Sequence, residues 1–202
     1  MVDAPPPSAP TDPPGDVGAV DETVERILDG ALAEFVDIGI RRATVGSVAR
    51  RAGVAPATIY RRVGQRDALV DAVVAREVRR TLAEITTRLA PVDDPAERMV
   101  EGFVAALRLV VAHPLIRRIL ELEPDSVAAA FTTGAGGLLA LGRAYVADQL
   151  RTAGDASVED PDAVAELLVR FAHSLVLTPS AELADDDRAR AFARAVLVPI
   201  VT

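Results

Sequence analysis

Along most of this chain apolar residues return every three or four positions, and after Arg66 nothing alternates as a half-buried strand must. That periodicity admits helices and little else. Val24, Ile27, Leu28, Ala31, Leu32, Phe35 and Ile38 share one face of a helix starting near Asp21. Gly39 ends it with the residue that best tolerates a left-handed terminus. Long amphipathic segments follow over 66–89 and 97–113, with Pro91 and Pro95 bracketing the linker between them, and Pro114 breaks the second. A short helix is expected over 115–122, then a long one over 125–153 kinked at the glycine-rich run Gly134, Ala135, Gly136 and Gly137. Asp160 and Pro161 form a cap-and-first-turn start for the next. Asp185, Asp186 and Asp187 set carboxylates at the positive end of the last. The fold class expected is all-α, with about nine helices. Half the residues are apolar, so a sizeable core can form and general disorder is excluded. Residues 1–19, with six prolines in the first fourteen positions, read as a disordered tail. Residues 20–66 then form a three-helix head and 67–202 a larger helical body.

The charge distribution singles out the head. Arginines 41, 42, 50, 51, 61, 62 and 66 fall in one stretch without an Asp or Glu, so the rest of a chain of net charge −8 carries −15. A cationic module in an acidic protein suits a polyanion, because each guanidinium placed on a phosphate releases condensed counterions. Thr44 stands where an N-cap belongs, but Ser47 three residues on is neither Glu nor Gln, so a reciprocal capping box reads as incomplete. Val45, Val48, Ala49 and Ala52 give the second helix a narrow apolar face, and Gly53 stops it. Pro56 is tolerated in the first turn of a third helix that turns Ile59 inward and Thr58, Arg61 and Arg62 outward. Gly64 closes it. Two short helices around a tight turn, in a basic setting, read as a DNA-binding helix-turn-helix.

Other functions find little to build on. Without Cys there are no disulfides, thiolate metal sites or thiol nucleophiles. The two histidines, His113 and His173, are unpaired by spacing, and neither a zinc-binding HExxH nor a phosphate loop occurs. The glycine run at 134–137 lacks the preceding strand and the full spacing of a dinucleotide loop. No enzyme, metal or cofactor is expected. With neither a signal peptide nor an apolar run long enough to span a bilayer, a cytoplasmic protein is expected.

The head resembles that of the TetR family of bacterial transcriptional regulators. Three elements carry the resemblance at unbroken spacing: Ala52-Gly53-Val54, Thr58-Ile59-Tyr60-Arg61-Arg62-Val63 and Arg66-Asp67-Ala68-Leu69. They stand where the family has an A-G-V turn, a recognition helix ending in T-[IVL]-Y-x-H-F, and K-[ED]-x-L opening the fourth helix. The resemblance implies that Pro56, Ala57 and Thr58 lie at the groove-facing start of the recognition helix. It also implies that Tyr60 reaches the DNA backbone and that Arg66, in place of the usual Lys, meets a phosphate. Thr44 is a further phosphate candidate, and Arg41 and Arg42 precede the second helix where an arm can meet the minor groove. Arg62 replaces the usual His and keeps a cation there. Val63 replaces Phe and removes an aromatic from the core. Ala55 stands where Ser often caps. With Ala55, Pro56 and Ala57 so small, specificity falls to Arg61, Thr58 and DNA shape.

Such heads act as dimers on palindromic operators, because two-fold protein symmetry matches the half-site spacing. The apolar stripes Val164, Leu168, Phe171, Leu175 and Phe192, Val196 are the pairing surface expected for a homodimer, with the alternative that both stripes lie wholly in the chain's own core. The middle helices would enclose a small-molecule effector. With mostly Ala, Val and Leu available, an aliphatic ligand is expected, lined by Phe103 and Leu107. Arg108, His113, Arg117, Thr133, Tyr145 and His173 are the polar groups available to orient it. The resemblance thus implies a repressor released from its operator by a small apolar effector. A regulator that activates, one that binds constitutively, and a degenerate head that has lost DNA binding are the alternatives.

Overall fold

The computed structural model describes residues 17–122, 136–153, 158–178, 180–183 and 185–201. Among these residues it is all-α, with no strand. The helices are α1 (Val17–Ile38), α2 (Val45–Ala52), α3 (Pro56–Arg62), α4 (Arg66–Leu89), α5 (Pro95–Ala112) and α6 (Pro114–Leu122), followed by α7 (Gly136–Ala153) and α8 (Pro161–Leu177). The last, α9, runs as α-helix over Asp186–Phe192, as a π segment over Ala193–Leu197 and as α-helix again over Val198–Val201. A 3₁₀ turn, Ala181–Leu183, precedes it.

Several boundaries differ from those expected. Helix α1 begins at Val17, so the last three residues assigned to the tail are helical. Pro95 opens α5 rather than lying in a linker: Asp94 caps the end by accepting from the Glu97 amide, and a proline in the first turn lacks only an amide that would be unpaired anyway. Pro114 likewise opens α6 as it breaks α5. Gly136 and Gly137 are the first residues of α7, while Gly134, Ala135, Thr133 and the expected start of that helix lie outside the described residues. No single helix among the described residues is long and apolar enough to cross a membrane.

The head is built on α1. Ile27, Ala31 and Phe35 meet Val48 and Ala49 of α2, Ile59 of α3, and Leu69 and Val73 of α4 in one buried cluster. Each large side chain there contributes on the order of 1.5–3 kcal/mol by leaving water. Leu115 of α6 is buried in the same cluster, so the body completes the core of the head. In the body, Ile85 and Leu89 of α4 pack with Ala105 of α5 and Tyr145 of α7. A second body cluster joins Val100 of α5 to Ala193 and Leu197 of α9, with Phe103, Leu168, Phe171 and Phe192 against it.

At Gly30 the backbones of α1 and α2 approach closely. A Cβ placed on Gly30 would lie 2.9 Å from the Ala52 Cβ and 3.0 Å from its backbone nitrogen. Helix backbone cannot yield there as a flexible side chain would. Gly30→Ala should therefore cost about 1–3 kcal/mol through overpacking, although alanine is the better helix former. A thermal melt followed by circular dichroism measures this, and an unchanged midpoint would show that α2 is not seated as described.

Candidate nucleic-acid interface and ligand cavity

Local chemistry fixes the two short helices. The Thr44 hydroxyl accepts from the Ser47 amide at 3.0 Å, and the Ser47 hydroxyl accepts from the Thr44 amide at 3.1 Å. The reciprocal box that the sequence seemed to lack is complete, because a serine close to the turn reaches the cap amide as a longer Glu would. At the other end Gly53 adopts φ 66°, and its amide caps the Ala49 and Arg50 carbonyls. Helix α3 then starts at Pro56 with no side-chain cap, as Ala55 dictates. Ile59 is fully buried beneath it.

With Ile59 inward, the opposite face of α3 is open. Pro56, Ala57, Arg61 and Arg62 are exposed, Thr58 is half-buried, and Tyr60 is 54% exposed. Arg41, Arg42 and Thr44 are exposed beside them. Val63, where the family has Phe, packs half-buried against the head core. Arg51 and Arg66 serve the head itself. Arg51 pairs with Glu34 at 2.9 Å and Asp37 at 2.6 Å on α1. Arg66 donates to the Ile40 carbonyl at 2.5 Å and the Ala43 carbonyl at 3.2 Å, and its other nitrogen lies 3.5 Å from Asp67. Its guanidinium is turned into the loop between α1 and α2, so its observed place is that of a brace, where a phosphate contact was expected. Arg42, Arg50, Arg61 and Arg62 have no acidic partner among the described residues.

In the body, Phe103, Ala106, Leu107 and Val110 of α5 face Ala172, Leu175 and Val176 of α8 across a cavity of about 40 Å³. That is little more than the roughly 30 Å³ share of one water molecule. Its lining residues are all apolar. Phe103 and Leu107 line it, and the described polar candidates do not. Arg108 donates to Asp186 at 2.6 Å and to the Leu183 carbonyl, tying α5 to the start of α9. That hydrogen bond and charge hold the Asp186 carboxyl below its ordinary range. His113 faces Glu77 on α4. The Tyr145 hydroxyl lies 3.0 Å from that of Thr86. Arg117 lies on a separate open groove with Val36, Pro114 and Arg118. His173 is half-buried on α8 outside this lining, and Thr133 lies outside the described residues.

The stripes expected to pair two protomers are largely internal. Phe103, Phe171 and Phe192 form a mutual aromatic cluster, with ring centroids 5.5–6.2 Å apart. Leu168 packs with them, Leu175 is buried at the cavity and Val164 is half-buried. Of the six, only Val196 is exposed; with Leu167 of α8 and Ile200 of α9 it is among the large apolar side chains left open. A one-residue rotation of the helical stripe separates these readings, since both faces are apolar. Sequence reasoning also missed Arg76, a buried cation on the face of α4 that holds Leu69 and Val73. Its spacing from them was the available signal.

Residues 27–73 match the family described as bacterial regulatory proteins, tetR family. An uncharacterised HTH-type transcriptional regulator of Mycobacterium tuberculosis is 35% identical over 186 residues, covering 88% of this chain and 85% of that one. Among solved structures, the repressor AlkX of Dietzia sp., implicated in biodegradation of n-alkanes, superposes with a TM-score of 0.69 at 21% identity, over 88% of this chain and 94% of its own. The fatty acid degradation regulator FadR of Bacillus halodurans gives 0.55 at 17% identity, over 89% and 94%. At those identities the two structures speak for the fold alone.

The observed hydrogen bonds separate bracing from exposed arginines by experiment. Arg66→Ala should lower stability by about 1–2 kcal/mol, through carbonyls left without a charged donor. Thr44→Ala should cost about 1 kcal/mol through the lost cap. Arg62→Ala should stay within about 0.5 kcal/mol of the parent. Chemical denaturation of the three variants reads these values directly, and an equal cost at Arg62 and Arg66 would contradict the assignment.

Proposed function

Since the chain belongs to the TetR family of bacterial transcriptional regulators, we propose that it is a repressor that leaves a palindromic operator when a small apolar effector enters its body. The observation that carries the reading is the open face of α3. Arg61, Arg62, Tyr60 and Thr58 stand outward from a helix pinned by buried Ile59, beside Arg41, Arg42 and Thr44. Arg61 and Thr58 read base edges in the major groove, where a bidentate arginine suits guanine and a threonine methyl suits thymine. Arg62, Tyr60 and Thr44 grip phosphates on either side, and Arg41 and Arg42 reach the neighbouring backbone or minor groove. Pro56 and Ala57 offer bulk but no hydrogen bonds, so DNA shape supplies part of the specificity. Arg66 supports this surface by fixing the loop from which Arg41 and Arg42 project.

Two copies pair through the open apolar side of α8 and α9, around Leu167, Val196 and Ile200, in the cytoplasm where the operator is. The effector is aliphatic, because every lining residue of the α5–α8 cavity is apolar. AlkX and FadR, which share the fold, are named for alkane and fatty acid degradation. An occupied cavity must be larger than the present one, so ligand favours a conformation in which α5 and α8 separate. Operator affinity falls only by the ligand's differential affinity for the two states. The small volume of the cavity also favours a second reading, a regulator that binds its operator without an effector.

Selection from random DNA followed by mobility shifts across a salt series tests the proposal. Arg61→Ala should lose about 1–3 kcal/mol on the selected operator and leave random DNA nearly unaffected. Arg62→Ala should weaken both and flatten the salt slope by about one. A chain that selects no sequence and binds without salt dependence would defeat this reading.

A further inference from the structure

A cluster of charged groups on α4 joins the head to the elbow between α5 and α6. Arg76 is only 4% exposed. Its Nη1 lies 3.1 Å from Glu25 and 2.9 Å from Asp29, both on α1. Its Nε donates to Glu77 Oε1 at 3.1 Å. Arg80 reaches the same two elements, 3.0 Å from Glu25 and 3.4 Å from Glu77 Oε1. The second oxygen of Glu77 faces His113 Nε2 at 3.3 Å. His113 is the one residue between α5 and α6, which meet there at a bend of 52°.

Glu77 thus has a divided allegiance. One oxygen holds the two guanidiniums that are bound to the head, and the other holds the elbow of the body. A carboxylate is a rigid plane, so any shift of His113 that keeps its hydrogen bond turns Oε1 against Arg76 and Arg80. Because Arg76, Glu77 and His113 are largely shielded from solvent, salt screens this linkage weakly. Arg76 has few alternatives once displaced, since a buried cation stripped of its partners is strongly unfavourable. Apolar contacts of Leu115 with the head run alongside but can slide; directional hydrogen bonds resist sliding.

We propose that Glu77 is the residue that couples the α5–α6 elbow to the orientation of the head, with His113 as its contact on the body side and Arg76 on the head side. The coupling belongs to the protein in solution without DNA or ligand, so it stands or falls separately from operator binding.

Since the chain has no Cys, Arg50→Cys on α2 and Ala191→Cys on α9 place two spin labels, one on each part. Labelled protein diluted with unlabelled chain then reports the head-to-body distance distribution by pulsed electron resonance. Glu77→Gln and His113→Leu should each broaden that distribution by about twofold, and together no further, because they cut the same link. His113→Gln, which keeps a donor toward Glu77, should retain the parental width. The proposal is overturned if the single variants keep both helicity and the parental width, or if their broadening adds. Should Glu77→Gln fail to fold, His113→Leu against His113→Gln decides alone: equal widths overturn the coupling.

Discussion

Helix α3 depends on one apolar contact. Seven residues are too few to hold a helix in water, because nucleation outweighs so short a propagation. Its first turn has no side-chain cap, and its last carries two arginines. What keeps it helical is Ile59, buried in one cluster with Ile27 and Phe35 of α1 and Val48 of α2. The same contact decides which way the helix faces, and hence that Tyr60, Arg61 and Arg62 point to solvent. The exposed cationic face is therefore a consequence of core packing one residue away. The close approach of Gly30 to Ala52 belongs to the same arrangement, since it lets α2 sit low enough for Ile59 to reach the core.

The arginines show how one side-chain type serves three purposes according to neighbours. In the loop, Arg66 works by hydrogen-bond geometry, binding the Ile40 and Ala43 carbonyls. On α4, Arg76 works by buried charge. On α3, Arg61 and Arg62 face solvent and remain available to a polyanion. Charge alone does not distinguish these cases. Partners do, and partners come from the tertiary fold. Across the body a ladder of partly exposed pairs, Arg108 with Asp186, Arg190 with Glu101 and Arg194 with Glu97, sets α9 along α5. Each exposed pair is weak alone. Their value lies in register, because a shifted α9 would misalign all three.

How much of this was readable beforehand varied with the range of the interaction. The helices of the head, the left-handed turn at Gly53, the inward Ile59 and the outward Arg61 follow from spacing and local rules, and the structure has them. Boundaries at Pro95 and Pro114 were misjudged because a proline that ends one helix can equally open the next. The Thr44–Ser47 box was discounted on residue type, whereas reach decided it. The burial of Phe171 and Phe192 was the hardest to foresee. Both lie on broad apolar stripes whose two edges look alike in sequence, and only the meeting of three helices at Phe103 shows which edge turns inward. Arg108, His113 and Tyr145, available in the sequence to orient a ligand, have partners elsewhere in the fold for a related reason. A polar residue among apolar ones has a partner, but that partner lay on α9 or α4 rather than in the cavity.

Leu115 has a consequence for how such a protein could be taken apart. It comes from α6, far along the chain, yet sits in the cluster beneath the first three helices. A head transplanted by cutting at residue 66 would leave behind the ends of its own core: Leu69 and Val73 on α4 and Leu115 on α6. The foreign body would have to present a side chain of matching volume at that spot, or a void would open beneath α1. Modularity in this chain therefore follows the packing rather than the covalent order, and its smallest exchangeable unit includes the first corner of the body.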